Sequence, residues 1–263
     1  MNTGNSLDLS RRKFLQSSVA GGVSSLLLAG PIFAAERGAS ALPPTKLRIV
    51  CVGGHPDDPE SGCAGTLARY SDLGHSVTVI YLTRGERGIT GKSLEETAAI
   101  RSAEANEACQ RMGAKAVFAG QIDGATEVNK ARVDELLKLI AAETPDVLFT
   151  HWPIDTHLDH QAASMLTFRA YLALAKKPHL AFFEVNTGSQ SQGFFPNSYV
   201  DISGVVERKK SALFAHQSQN GEGIWKQHHE VVANFRGREA GFKAAEAFVH
   251  LNRAAASDRL PGL

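Results

Sequence analysis

Two short stretches hold most of the residues able to do chemistry. Residues 53–60 read Gly-Gly-His-Pro-Asp-Asp-Pro-Glu, and residues 151–160 read His-Trp-Pro-Ile-Asp-Thr-His-Leu-Asp-His. The first puts one imidazole, His55, and three carboxylates, Asp57, Asp58 and Glu60, within six residues. Like charges this close repel, so a cation, a capped helix or plain solvation must offset them. Zinc takes neutral imidazole and carboxylate as donors, and a catalytic zinc keeps three protein ligands and leaves a position for water. His55 and Asp58 stand three apart, as do His157 and His160, so each pair can turn toward one point. Asp57 and Asp58 are neighbours whose side chains diverge. One can touch a metal while the other faces its water, which gives a ligand and a general base from one dipeptide. The competing reading is structural. His-Pro-Asp-Asp also suits a helix N-terminus with acidic first-turn residues, and His-Leu-Asp-His a solvated helix start.

The elements around the clusters decide whether they can meet. An apolar β-branched run at 47–52 predicts a buried strand just before the first cluster. Helical spacing follows at 60–73, ending at Gly74, and then a second apolar strand at 76–82. Residues 83–92 carry three glycines and read as a loop. A long helix is expected at 94–112, a short strand at 116–119, an amphipathic helix at 129–142 and a strand at 145–150, just before the second cluster. Further on, the pattern predicts helices at 161–175, 207–215 and 238–250, strands at 181–185 and 199–202, and a loop at 188–197. Strands alternating with helices predict a Rossmann-like α/β fold: one domain with a mostly parallel sheet and helices on both faces. Ligands in such sheets collect at the carboxyl ends of strands, where strand order reverses. Both clusters fall at that end.

Bulk properties narrow the classes. The 263 residues carry 28 basic and 27 acidic side chains, a net charge of +1. That balance gives no field to draw in nucleic acid or an anionic membrane. The first cluster, GGHPDD, is not G-x-G-x-x-G, and its carboxylates would repel a pyrophosphate. Three cysteines, Cys51, Cys63 and Cys109, cannot all pair within one chain and suit buried free thiols. His75, His216 and His228–His229 stand alone, and a solvated or core role is expected for His75. Ser10-Arg11-Arg12-Lys13-Phe14-Leu15 precedes a weakly apolar stretch and then Ala39-Ser40-Ala41, a small-x-small cleavage site. This is similar to a twin-arginine export signal. The expected organisation is therefore a signal peptide at 1–41 and a catalytic domain at 42–263. Its product would be periplasmic or extracellular, with no stable membrane span after cleavage.

Taken together, HPDD after one strand and HLDH after another resemble the PIG-L/LmbE-like family of zinc-dependent N-deacetylases. Leu82-Thr83-Arg84-Gly85-Glu86, Arg101-x-x-Glu104-Ala105, Val200-Asp201-Ile202-Ser203 with Lys209 and Lys210, and Ala215-His216-Gln217-Ser218-Gln219 fit as well. The likeness spans about 46–250. It implies that His55, Asp58 and His160 bind zinc, or ferrous iron, which suits the same set. It makes Asp57 the general base and gives His157 the oxyanion or the departing amine. Asp159 would orient an imidazole, and Arg101 would contact substrate. The implied substrate is small, an amino sugar or glycoconjugate bearing an N-acetylglucosamine unit. The alternatives are hydrolysis of another amide or an ester, and carbohydrate binding without catalysis. Many relatives read HPDDE; here Pro59 separates Asp58 from Glu60, and Glu60 receives no catalytic role.

Overall fold

The computed structural model describes residues 46–251 and 260–263, all within one compact unit. The expected signal peptide lies outside the described residues. Seven strands form one sheet: β1 (Arg48–Gly53), β2 (Ser76–Tyr81), β3 (Lys115–Phe118), β4 (Val147–His151), β5 (His179–Phe183), β6 (Ser198–Asp201) and β7 (Ala245–Leu251). Their spatial order is β3-β2-β1-β4-β5-β7-β6. The first five run parallel, and β7 pairs antiparallel with both β5 and β6. The helices are α1 (Asp58–Asp72), α2 (Leu94–Met112), α3 (Lys130–Glu143), α4 (Leu158–Ala173) and α5 (Val206–Phe214). A short α6 (Gly221–Ile224) runs through a π-helical turn, Trp225–His229, into α7 (Glu230–Ala240).

Alternation along the strands splits the core in two. Ile49 and Cys51 of β1 join Leu67, Phe149, Phe183 and Phe248 on one face. Val50 and Val52 join Ile80, Leu148, Leu166 and Leu180 on the other. This is the two-sided burial that a helix-covered parallel sheet requires, and each such side chain contributes about 1.5–3 kcal/mol. The three cysteines are free and buried, as expected.

Most expected elements are present within a few residues, and α2 matches end to end. Ser93 opens it with a capping box and Gly113 closes it in the left-handed region at φ 74°. One expectation fails. No helix covers 238–250: α7 ends at Ala240, and Ala245–Leu251 is strand β7. Alanine-rich sequence favours a helix locally, but the slot between β5 and β6 offers a full ladder on both sides, and tertiary pairing wins.

Strand order places the site. β2 and β3 extend from one side of β1, whereas β4 and β5 extend from the other. The switch point therefore lies between β1 and β4, whose C-terminal ends lead directly into the two clusters.

Candidate metal centre

Asp58 is the hub. One of its carboxylate oxygens lies 3.1 Å from His55 Nδ1, and the other lies 3.2 Å from His160 Nε2. The rings of His55 and His160 are 5.3 Å apart between centroids. Each imidazole has its far nitrogen tied to a second carboxylate. His55 Nε2 is 2.9 Å from Asp159, and His160 Nδ1 is 3.1 Å from Asp155. With the outer nitrogens donating, the inner nitrogens of both rings are left for Asp58 or, once their protons are displaced, for a metal ion. This carboxylate–histidine pairing is how proteins fix tautomer and raise ligand basicity at a metal. Overlapping donor groups, His55–His157–His160 and Asp58–His151–His160 among them, have ligand atoms within 4.8 Å of one another. Asp58 stands within 3.1 Å of one imidazole and 3.2 Å of the other, and these three side chains offer the nitrogen and oxygen donors that a divalent ion takes.

His151 is not the third imidazole. Its Nε2 already accepts the Gly54 backbone N–H at 3.0 Å, and its ring stacks on His160 at 4.2 Å. Burial, reinforced by nearby His160, lowers its pKa to about 4, so the ring is neutral. His160 behaves oppositely. Burial alone would lower its pKa, but Asp58 and Asp155 raise it to about 9. His55 is likewise raised: the surrounding carboxylates, Asp58 foremost, outweigh the opposing effect of its burial. Several carboxylates and imidazoles packed this tightly are held together by protons that a cation can replace.

Asp57 stands beside the hub as the N-cap of α1, with φ 109°, a conformation costly for any residue but glycine. Arg101 Nη2 donates to its Oδ2 at 2.9 Å and to the Pro56 carbonyl at 2.5 Å. Burial raises the Asp57 pKa to about 6, Asp58 adding to the rise and Arg101 opposing it. Arg101 thus reaches the site, with its guanidinium on Asp57 and two backbone carbonyls, the second being Gly85. Gly85, at φ 66°, leaves room for it: a Cβ there would fall 2.2 Å from Arg101 Nη1.

His157 is the N-cap of α4, and its Nδ1 accepts the Asp159 N–H. The ring proton therefore sits on Nε2. Burial and the neighbouring His55 and His160 lower its pKa, so it is a neutral N–H donor. Asp159 is saturated: beyond His55 it accepts from Gly124 N at 2.7 Å and Thr126 Oγ1 at 2.6 Å.

One cleft of about 490 Å³ is lined by Asp57, Asp58, His55, His157, His160 and Arg101. Arg87, Asn186, Gln190 and Gln219 also line it. Trp152 does not; it packs edge-on against Phe182 and Phe194. Trp225 lines a different cavity. Every site residue expected from sequence is thus at one locus. Three that matter received no role there. Asp155 lies two residues before His157 in the second cluster. Asp123, 3.3 Å from His55 Nε2, sits in the loop after β3 at the same end of the sheet. His151 ends β4. Position at a parallel strand's C-terminal end was the available signal for the last two.

Comparison with known proteins gives a consistent picture. The family model described as PIG-L, GlcNAc-PI de-N-acetylase, matches residues 50–171. Diacetylchitobiose deacetylase of Thermococcus kodakarensis is 30% identical over 218 residues, covering 76% of this chain and 81% of that protein. The 1D-myo-inositol 2-acetamido-2-deoxy-alpha-D-glucopyranoside deacetylase of Actinosynnema mirum is 31% identical over 156 residues, 48% of this chain and 55% of that one. Among solved structures, N,N'-diacetylchitobiose deacetylase from Pyrococcus horikoshii superposes with a TM-score of 0.68 at 25% identity, covering 80% of this chain and 87% of that chain.

Proposed function

Since the chain belongs to the PIG-L family of LmbE-like deacetylases, we propose that it hydrolyses the N-acetyl group of a small amino sugar or glycoconjugate with the help of a divalent ion. The observation that carries the reading is the pair of imidazoles, His55 and His160, each fixed from behind by a carboxylate and turned onto Asp58.

His55, Asp58 and His160 would hold the ion, with zinc as the favoured metal. A bound divalent ion supplies Lewis acidity and makes water acidic enough to lose a proton near neutral pH. The chain's own residues do the rest. Asp57 takes the proton from the attacking water, and Arg101 keeps its carboxylate aimed at the cleft. His157, with its proton on Nε2, donates to the oxygen that becomes negative as the acetyl carbon turns tetrahedral. The amine cannot leave unprotonated, so the proton gathered by Asp57, or one from His157, must reach the nitrogen. Asp159 fixes two of these groups at once, accepting from the His55 ring and giving its backbone N–H to His157. Asn186, Gln190 and Gln219 add neutral amides to the lining, which suits sugar hydroxyls.

The twin-arginine-like segment supports export of the folded protein. Arg11→Lys with Arg12→Lys should retain it inside the producing cell. The function itself is tested by acetate release from a panel that includes N-acetylglucosamine and N,N'-diacetylchitobiose, with metal-reconstituted and chelator-treated protein. Metal-dependent release from at least one sugar supports the proposal. Release that survives chelation, or cleavage of esters alone, contradicts it.

A further inference from the structure

The backbone of Asp57 poses a mechanical problem. A non-glycine residue at φ 109° costs on the order of 1–3 kcal/mol and persists only where its surroundings impose it. Arg101 grips the carboxylate end. Something must also hold the backbone end.

Glu60 is that group. Its Oε2 accepts the Asp57 N–H at 3.2 Å, and its Oε1 accepts the Tyr81 hydroxyl at 2.5 Å. His216 Nε2 stands 3.4 Å from the same Oε1. Glu60, Tyr81 and His216 are all fully buried, and they come from α1, the end of β2 and the turn after α5. A carboxylate removed from water this completely is stable only with partners on both oxygens. Here Oε2 holds the Asp57 N–H and Oε1 is held by Tyr81 of the sheet, so Glu60 ties the N-cap to the body of the protein.

Pro59 clarifies the spacing. Asp57 is the N-cap, so the third helical residue is Glu60, whose side chain can reach back to the N-cap N–H. Pro59, the second helical residue, has no N–H to satisfy and costs the helix nothing. With Pro59 at the second helical position, the third falls to Glu60, and its carboxylate stands behind the base.

We propose that Glu60, braced by Tyr81, is a positioning residue that holds Asp57 in its left-handed backbone state and so aims its carboxylate into the cleft. The inference rests on reading Asp57 as the base. Without Glu60 the Asp57 N–H loses its acceptor, the residue relaxes toward ordinary φ, and the carboxylate swings from the reacting atoms. Misplacement of about 1 Å can cost on the order of 100-fold in rate.

The test uses zinc-loaded protein and its best N-acetylated sugar, measuring kcat, KM, zinc per chain and Tm for Glu60→Ala, Glu60→Gln and Tyr81→Phe. Glu60→Ala should keep its zinc and its KM but lose roughly tenfold or more in kcat. Glu60→Gln should recover most of that loss. Its amide oxygen can accept from Asp57 N–H, and its amide nitrogen can donate to the Tyr81 hydroxyl, which also accepts. A merely structural role would lower Tm in both variants and leave the kcat of folded protein intact. Wild-type kcat in folded, zinc-loaded Glu60→Ala overturns the inference, as does an equal loss in the Gln variant. Should Glu60→Ala not fold, Tyr81→Phe decides: lower kcat at unchanged KM and zinc supports the brace, and full kcat overturns it. A wild-type protein that releases no acetate from any sugar refutes the deacetylase reading instead, and the two failures are thereby distinct.

Discussion

Replacing Asp155 by alanine isolates the support behind one ligand. The Asp155 carboxylate accepts from His160 Nδ1 at 3.1 Å, from His157 N at 2.8 Å and from Ser191 Oγ at 3.1 Å. It is buried and touches no expected metal position itself. Loss of a hydrogen bond to a charged partner costs about 1.5–3 kcal/mol. Removal of such a carboxylate behind a ligating histidine typically lowers metal affinity by about 10–100-fold, or roughly 1.4–2.7 kcal/mol. The first figure bears on folding and the second on the metal, so Asp155→Ala should weaken zinc binding by about 10–100-fold. Asp155→Asn should weaken it less, because its amide oxygen can still accept from His160. Competition with a chromogenic chelator at pH 7 measures both. If Asp155→Ala binds zinc within about twofold of wild type while His160→Ala does not, the support argument is wrong.

Other outcomes follow from the same geometry. Asp57→Asn should keep its zinc and lose most turnover, whereas His55→Ala should lose both; metal analysis beside steady-state rates separates them. A base must be ionised to work, and the Asp57 carboxyl is raised to about 6, so kcat/KM should fall on an acid limb at or below pH 6. Arg101 opposes that rise, so Arg101→Gln should move the limb to higher pH; an unmoved limb would separate Arg101 from the base. His160 is raised to about 9, above its ordinary value near 6.5, so its stabilising contribution is complete below 6.5 and is lost as pH rises through 9. Melting of chelator-treated protein should therefore drop between pH 6.5 and 9, and zinc-loaded protein should not show the drop. Gly85→Ala pushes a methyl into the Arg101 guanidinium and strains a positive φ, and should lower kcat as Arg101→Gln does.

How far the sequence could be read depended on whether local chemistry or the tertiary neighbourhood governs each residue. β1, α2 and β4 were legible because apolar runs, caps and terminal glycines are local signals. The meeting of His55 with His160 was legible because strand alternation implies a switch point. β7 was not: residues 245–251 are helix-prone by composition, and only the gap between β5 and β6 makes them a strand. Roles were harder than positions. Arg101, expected on substrate, lines the cleft and also holds Asp57 and two backbone carbonyls, a positioning contact that its spacing did not reveal. Glu60 looked displaced by Pro59, yet it reaches the N–H of Asp57. Lys209 and Glu104, picked out by resemblance, serve as braces: Lys209 joins Glu246 and the Ser61 carbonyl, and Glu104 holds Ser218. Such long-range polar pairs leave no periodicity in the sequence.

The proposed chemistry depends on one divalent ion held by His55, Asp58 and His160, the two imidazoles that converge on one carboxylate. A crystal of the zinc-loaded protein, with anomalous scattering recorded on both sides of the zinc edge, tests it directly. The account predicts one strong peak about 2.0–2.2 Å from an imidazole nitrogen of each histidine and from an Asp58 oxygen. A peak held instead by Asp123 and Asp159, or none at the hub in protein that binds zinc in solution, would contradict it.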